Sequence, residues 1–520
     1  MGESLGMEAS KVAEAVDVEA IGDPTAIDLF NTLSGRIEAL APSDGLALRM
    51  YACGPTVYDY GHIGNFRTFL HVDVLRRVLL QRGIAVRHVM NITDVDDKII
   101  RNAGAARKSI GEYTKKYEEA FLEDMDSLGC ERPEAMPRAT GHIPEMVELI
   151  ERLRNEDIAY QAEDGSWYFR IERFPGYGKL AKKDFDAIAD GARVDLDEYD
   201  KDAARDFAVW KAVKTDANGL TEPAWETVLG AGRPGWHIEC SAMATKFLGD
   251  SFDLHAGGED LMFPHHENEI AQSEAASGKT FARHWMHVRF LLVEGRKMSK
   301  SEGNFFTLRD LLLKGYRASA IRLQLIGVPY RHQLNFTFDG LTESTNAVDR
   351  LRTFAQRMKG NFASGLDAEL AGLTLAARNA YDAALADDLN TAEAKAAIFD
   401  LVRAGNIAAD AGTLKADNAV QILEVLTRFD GVFAVLEDRD AEITRAALEW
   451  AEREGRIGEA SPELVAKLAL SDAAIDALVA ERDHAKKTRN FPRADAIRKE
   501  LQEKGILLED SKDGTRWKRK

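Results

Sequence analysis

The chain is expected to fold as an α/β protein: a parallel-sheet domain split in sequence by an insertion, then a helical bundle and a small C-terminal domain. Three patterns predict this. First, residues 46–53 form an apolar stretch that breaks at Gly54-Pro55. The helical pattern after it puts Phe69, Val72, Leu75 and Leu79 on one face, ends at Gly83 and gives way to a second apolar stretch at 85–92. Strand, loop, helix and strand within about 50 residues make a βαβ unit, which implies parallel strands. Second, that texture dissolves at about 125–235 into short pieces broken by Gly176, Gly178, Gly191 and Gly219, then resumes at 235–240 and closes on the apolar run 286–293. Third, beyond Phe338 nearly every segment has a 3.6-residue period. In 390–402, for instance, Asn390 can cap a helix, Glu393 can reach back to the cap, and Ile398, Leu401 and Val402 face inward.

With 520 residues the chain is too long for a single core, which stops growing at roughly 250–300. Residues 1–26 carry six acidic side chains and one lysine and read as an acidic, weakly structured extension. The sheet domain is expected at 27–337, with its insertion at 125–235 and a loop region at 286–306, the helical domain at 338–475 and the last domain at 476–520. The formal charge of −18, from 68 Lys+Arg against 86 Asp+Glu, argues against general coating of nucleic acid or of a membrane surface. Residues 481–520, however, hold 13 Lys+Arg and 8 Asp+Glu, so a nucleic-acid partner would have to meet this local basic patch. Its end, Arg516-Trp517-Lys518-Arg519-Lys520, couples cations to an aromatic ring, although charge alone fits an ordinary solvated tail better. No apolar run approaches the ~18 residues of a membrane span. The N-terminus lacks the basic and apolar regions of a signal peptide, and Cys53, Cys130 and Cys240 are too few for a disulfide framework. A reducing, cytoplasmic setting without a membrane partner is expected.

Two loops carry candidate phosphate chemistry. The first, Cys53-Gly54-Pro55-Thr56-Val57-Tyr58-Asp59-Tyr60-Gly61-His62-Ile63-Gly64-Asn65, runs from a strand into a helix N-terminus. Free N–H groups and the helix dipole there favour a phosphate, Gly61 and Gly64 allow close approach, and His62 can donate to a phosphate oxygen. Alone, the pattern is also that of a surface or capping histidine. The second, Lys297-Met298-Ser299-Lys300-Ser301, follows a strand and the Glu294-Gly295 turn and precedes a helix opened by Thr307. Two lysines and two hydroxyls can clamp a polyphosphate whose charge shifts during transfer. By composition alone a solvated basic loop is the favoured reading.

A third group suits a metal. His265 and Glu269 are i and i+4 in a segment that opens a helix after Pro264, so they project from one face. With Cys53 and Cys240 they make two thiolates, an imidazole and a carboxylate, a donor set fitting Zn²⁺. Buried cysteines packed as small hydrophobes and a solvated acidic helix start would read the same way.

Together, His62-Ile63-Gly64-Asn65 and Lys297–Ser301 resemble the HIGH and KMSKS signatures of class I aminoacyl-tRNA synthetases, in the right order, with Asn65 in place of the usual final histidine. The first loop, Asn91-Ile92-Thr93-Asp94-Val95-Asp96-Asp97-Lys98, residues 235–243 and residues 253–269 are more specifically similar to the cysteinyl-tRNA synthetase family, a resemblance that spans 27–520. Ala256 stands where a glycine is usual. The resemblance implies a Rossmann-like catalytic domain, a helical domain contacting the tRNA stem and an anticodon-binding domain. It implies zinc on Cys53, Cys240, His265 and Glu269, with the substrate thiolate added to it, and a cysteine pocket lined by Thr93, Trp236 and His255. It also implies ATP, carried with Mg²⁺, against Gly54, Pro55, Thr56, His62, Gly64, Asn65 and the loop Lys297, Met298, Ser299, Lys300, Ser301. His62, Asn65, Lys297 and Lys300 then serve catalysis.

The activity so implied is formation of cysteinyl-adenylate from L-cysteine and ATP, then transfer to the 3′ end of tRNA(Cys) by a monomer. Lys and Arg of the C-terminal domain would hold the RNA backbone, with Arg516, Lys518 and Arg519 flanking a Trp517 free to stack a base. Two other readings stay open: a cysteine ligase acting on an amino sugar, which shares the catalytic domain but lacks the C-terminal segment, and a zinc-containing RNA-binding protein without catalysis.

Overall fold

The structure, a computed structural model, describes residues 27–182, 193–194, 206–214, 222–468, 472–511 and 514–519. The acidic extension expected at 1–26 lies outside them. Four parallel strands make the central sheet: β1 (Leu48–Ala52), β2 (Val86–Met90), β3 (Phe252–Gly258) and β4 (Ala282–Val288), in the order β4-β3-β1-β2. The chain leaves β1 for β2 on one side through helix α1 (Ile63–Gln81), while β3 and β4 add on the other. The order therefore reverses between β1 and β3, and in such sheets ligands bind outside the carboxyl ends of the strands at that reversal.

Helix α1 buries most of its circumference, including the expected Phe69, Val72, Leu75 and Leu79, because the sheet lies on one side and helices of the C-terminal half on the other. The inserted region contributes the helix Ile143–Asn155 and a small, mostly antiparallel sheet. Its Phe169, Phe207 and Trp210 share one core with Tyr51, Ile238 and Trp285, so the insertion forms one wall of the central domain.

The apolar run 286–293 is not one strand. β4 stops at Val288, Arg289 donates its N–H to the Tyr330 carbonyl, and Phe290 is exposed. Leu291–Val293 then begins a separate sheet, paired with Arg296–Lys297 and, in parallel, with Leu334–Phe336. Glu294 and Gly295, both at positive φ, make the two-residue turn that suits this hairpin. The turn delivers the Lys297–Ser301 segment to the sheet's carboxyl edge.

The expected helical domain follows as Phe338–Met358, Ala368–Ala386, Thr391–Asp410, Ala416–Phe433 and Asp440–Arg453. Asn390 Oδ1 caps the third of these by accepting from the Glu393 N–H at 3.2 Å. Arg322, fully buried, ties this layer to the sheet domain. It donates to Asp73 Oδ2 at 2.7 Å and to the carbonyls of Leu128 and Val432 at 2.9 and 3.1 Å. Two further helices, Asp472–Lys487 and Phe491–Glu503, and the hairpin Ile506–Ser511/Gly514–Arg519 enclose a separate small core of Ile475, Val479, Ile497, Leu501 and Ile506. No helix among the described residues is long and apolar enough to cross a membrane.

Candidate active site

The site is built where the loops after β1 and β2 meet. Gly54 donates its N–H to Asn91 Oδ1 at 2.8 Å, and a Cβ on Gly54 would lie 1.7 Å from the Asn91 carbonyl oxygen, so only glycine fits. The Thr93 N–H then binds the Pro55 carbonyl and the Val57 N–H the Thr93 carbonyl, at 3.0 and 3.1 Å. This pairing fixes Thr93, whose Oγ1 accepts from Asn91 Nδ2 at 3.2 Å and donates to Glu239 Oε2 at 3.1 Å.

His62 is the N-cap of α1. Its Nδ1 accepts from the Asn65 N–H at 3.1 Å, and Asn65 Oδ1 accepts from the His62 N–H at 3.2 Å. Asn65 thus closes a reciprocal capping box, a role the short carboxamide fills well. The next N–H, on Ile63, is taken by the Phe306 carbonyl at 3.0 Å. The expectation of a helix start rich in free N–H groups needs correction, because its own caps consume most of them. The His62 ring is a further candidate donor. With Nδ1 accepting, the proton sits on Nε2, and burial together with the Lys300 charge lowers the ring's pKa to about 4, so it is a neutral donor.

The second loop touches the first. Phe305 meets the His62 ring edge-on with centroids 5.0 Å apart, and Lys300 Nζ lies 2.7 Å from Asp59 Oδ2. Asn304 pins the loop, accepting from the Ser299 N–H at 2.9 Å and donating to the Lys297 carbonyl at 3.0 Å. Ser299 and Ser301 hydroxyls pair at 3.1 Å. Lys297 and Lys300 are exposed.

The metal candidates converge between the ends of β1 and β3. Helix α2 (Trp236–Leu248) supplies Cys240, and helix α3 (Glu267–Ser277) with the kinked segment before it supplies Glu269 and His265. Donor atoms of Cys53, Cys240, His265 and Glu269 all lie within 4.8 Å of one another, in side chains that are buried. Cys53 Sγ is 3.9 Å from Cys240 Sγ and 3.6 Å from Glu269 Oε1, and His265 Nε2 is 3.1 Å from Glu269 Oε1. Zn–S bonds of about 2.3 Å and Zn–N/O bonds of about 2.0–2.1 Å in a tetrahedron give edges near 3.8, 3.6 and 3.3 Å, so the donors fit zinc. Against the upward push of burial, the charges of His255 and His265 and their hydrogen bonds hold Glu269 down at about 2. Burial likewise opposes ionisation of Cys240, but hydrogen bonds from Cys53 and His265 bring the thiol down to about 6. Burial keeps Cys53 well above the usual thiol range.

A second set, Cys53, His255, His266 and Glu269, converges within the same limit. It offers only one sulfur, with His266 Nε2 3.3 Å from Cys53 Sγ. His255 Nε2 binds Glu269 Oε2 at 2.9 Å, its ring stacked on Trp285 at 4.5 Å, and His266 Nδ1 pairs with His287 Nε2 at 2.8 Å. The two-thiolate set suits zinc better. Trp236 stacks on His265 at 4.2 Å. Ala256 lies within β3 and is absent from the positive-φ positions, so its methyl is accommodated.

A family model for the class I (C) tRNA synthetase catalytic domain matches residues 40–346, a DALR-domain model matches 380–437, and a cysteinyl-tRNA ligase anticodon-binding-domain model matches 470–517. Two similar proteins are cysteine–tRNA ligases: one from Koribacter versatilis, 58% identical over 95% of this chain and 100% of its own length, and one from Leptospira interrogans, 42% identical over 95% and 99%. The chain belongs to the cysteinyl-tRNA synthetase family. Its fold is also similar to that of a methionyl-tRNA synthetase from Mycobacterium tuberculosis, with a TM-score of 0.55, 16% identity and coverage of 82% of this chain and 95% of the other.

The synthetase's C-terminal residues are arranged differently from the sequence expectation. Trp517 packs, half-buried, with Leu508 against the small terminal core, and its indole N–H donates to Asp476 Oδ1 at 2.7 Å. Strand alternation puts Arg516 and Lys518 on the opposite face, where Lys518 pairs with Glu509 at 2.6 Å. Sequence reasoning passed over Glu239, His237 and His287. His237 Nδ1 contacts His265 Nδ1 at 2.9 Å, and His287 reaches Thr32 Oγ1 at 2.9 Å. The only sequence signal was an unusual density of buried-type histidines on β3, β4, α2 and the segment before α3.

Gly64 has a specific role in this cap. A Cβ there would lie 2.9 Å from His62 Nδ1 and 3.3 Å from Met298 Cε. Alanine normally improves a helix by up to ~1 kcal/mol over glycine, so Gly64→Ala should leave the melting temperature nearly unchanged while displacing His62. We expect the KM for ATP in cysteine-dependent ATP–pyrophosphate exchange to rise about tenfold. An unaltered ATP KM would contradict the placement of His62 at the nucleotide.

Proposed function

We propose that the chain joins L-cysteine to tRNA(Cys) in two steps, through cysteinyl-adenylate and with release of pyrophosphate. The observation that carries the reading is the convergence of Cys53, Cys240, His265 and Glu269 at the sheet's reversal point, beside two loops joined by His62, Phe305, Asp59 and Lys300. Bound there, zinc would supply a soft Lewis acid that takes the substrate thiol as thiolate, a contact that serine's hydroxyl and alanine's methyl do not match. Thr93, held by Asn91 and Glu239, and the Trp236 and His255 rings close the pocket around that thiol. Hydrophobic pockets alone separate such isosteres by only ~10², whereas a polar contact that the wrong substrate cannot make reaches ~10⁴–10⁵.

In the first step the cysteine carboxylate attacks the α-phosphate of Mg²⁺-bound ATP in line, and positioning with charge stabilisation provides most of the rate. His62 donates through Nε2 to a phosphate oxygen. Lys300 and Lys297 meet the charge moving onto the leaving pyrophosphate, the backbone of Gly54, Pro55 and Thr56 approaches the nucleotide, and Met298, Ser299 and Ser301 shape the loop that covers it. In the second step a ribose hydroxyl of the terminal adenosine takes the cysteinyl group and AMP leaves. The chain's helical and C-terminal modules present the tRNA for that step, with Arg516, Lys518 and Arg519 as backbone contacts. Cysteine-dependent ATP–pyrophosphate exchange, followed by charging of tRNA(Cys), tests the reading. Exchange without charging would leave the amino-sugar ligase, and no exchange would leave only a binding protein.

Removing residues 476–520 separates the two steps. We expect exchange within about twofold of the full chain and a loss of charging efficiency of about 10²-fold or more, since several phosphate contacts vanish together. Equal charging by the truncated protein would overturn the RNA-binding role of this module.

A further inference from the structure

A small apolar core, separate from the larger ones, joins three distant stretches of chain: Tyr60 in the first loop, Leu313 in the helix after the second, and Trp450, Ala451, Ile457 and Ala460 at the end of the helical domain. Trp450 is 5% exposed and stands at its centre. Its ring meets Tyr60 edge-on, with centroids 5.3 Å apart and planes at 84°. The Arg309 guanidinium lies 4.8 Å from the Trp450 ring and 5.4 Å from Tyr60, held by Asp124 Oδ1 at 2.9 Å. Arg456 covers Trp450 at 5.0 Å and donates to Asp310 Oδ1 at 3.0 Å. The other oxygen of Asp310 accepts from the Thr307 N–H at 2.8 Å, closing the cap of the helix that follows Lys297–Ser301. Directly after this core, the Ser461 N–H binds the Leu313 carbonyl at 2.9 Å.

One indole thus supports both loops proposed to handle ATP. Tyr60 lies two residues before His62, and Asp310 fixes the exit of the loop that carries Lys300. We propose that Trp450 is a positioning residue for ATP, setting the relative placement of His62 and Lys300 from more than a hundred residues further along the chain. Packed aromatic and cation–π contacts hold one geometry, and displacing a catalytic group by about 1 Å can cost up to 10²-fold. The proposal rests on the ATP-handling roles assigned to His62 and Lys300.

The test uses the full chain in cysteine-dependent ATP–pyrophosphate exchange without tRNA, varying ATP and cysteine separately. Trp450→Ala should raise the KM for ATP about tenfold and leave that for cysteine within about twofold, and Trp450→Phe should recover most of the loss. A ring that merely fills space would lower the melting temperature and the active fraction, hence kcat, with both KM values unchanged, and that result overturns the proposal. Should Trp450→Ala fail to fold, Arg456→Gln keeps the indole and removes the cation that joins it to Asp310 and Glu459. It should raise the ATP KM several-fold at a wild-type melting temperature, and an unchanged KM is equally fatal. If the roles of His62 and Lys300 are themselves wrong, His62→Ala and Lys300→Ala will leave ATP kinetics intact, which distinguishes that failure from this one.

Discussion

Serine at position 240 is expected to abolish stoichiometric zinc and the preference for cysteine together. Cys240 Sγ stands 3.9 Å from Cys53 Sγ in a buried cluster that two thiols, one imidazole and one carboxylate complete. Against the push of burial, hydrogen bonds from Cys53 and His265 hold the Cys240 thiol below the usual thiol range, which favours the thiolate that binds soft metals. A serine hydroxyl of nearly the same size keeps the packing but is a harder donor that does not ionise there. The site would then retain one thiolate, an imidazole and a carboxylate, a weaker set for zinc. Discrimination against serine should fall from the ~10⁴–10⁵ that a donor contact permits towards the ~10² of shape alone. Elemental analysis of the purified variant and exchange rates with cysteine and with serine decide the matter. One zinc per chain with undiminished discrimination would refute the ligand assignment.

Much of this site was legible in the sequence because its parts obey local rules. The i and i+4 spacing of His265 and Glu269 is a helical distance, and the structure gives 3.1 Å between their donor atoms. The loop between β1 and α1 announces itself by a Gly-Pro break before a helical period. Other features depend on long-range contacts that no spacing encodes. Glu239 becomes Thr93's partner only because α2 packs beside the loop after β2. The role of Asn65 was local but hidden by its departure from the usual motif, since a capping box needs a side chain that reaches back, which a short carboxamide does. The break inside the apolar run 286–293 is not encoded by its apolar character; it is made by Arg289, whose N–H binds the Tyr330 carbonyl, and by the exposed Phe290. Trp517 has a structural use that composition does not reveal: an aromatic among cations suits RNA stacking, and in the hairpin the same ring packs, half-buried, against a five-residue core.

Replacing Lys300 with alanine should lower kcat for adenylate formation by about 10²–10³-fold, the size of losing one donor aimed at developing charge. Its present partner makes the argument specific. Lys300 Nζ binds Asp59 Oδ2 at 2.7 Å while lying 5.1 Å from the Phe305 ring centroid, and Phe305 is the ring against His62. The hydrogen bond to Asp59 raises the lysine's pKa, so its charge persists across the neutral range. Side-chain exposures of 65% for Lys300 and 39% for Asp59 make this a solvent-screened pair worth about 0–1 kcal/mol. Such a contact is strong enough to rest the loop against its neighbour and weak enough to yield to a polyphosphate. Lys300→Ala should therefore melt within a degree or two of wild type. Asp59→Asn, which removes the competitor and leaves the cation, should lower the KM for ATP by up to about fivefold. If Lys300 instead acts while still paired, Asp59→Asn will impair exchange. If it takes no part, Lys300→Ala will keep kcat within twofold. The two substitutions, measured in one exchange assay, separate a lysine that moves to the phosphates from one that only holds two loops together.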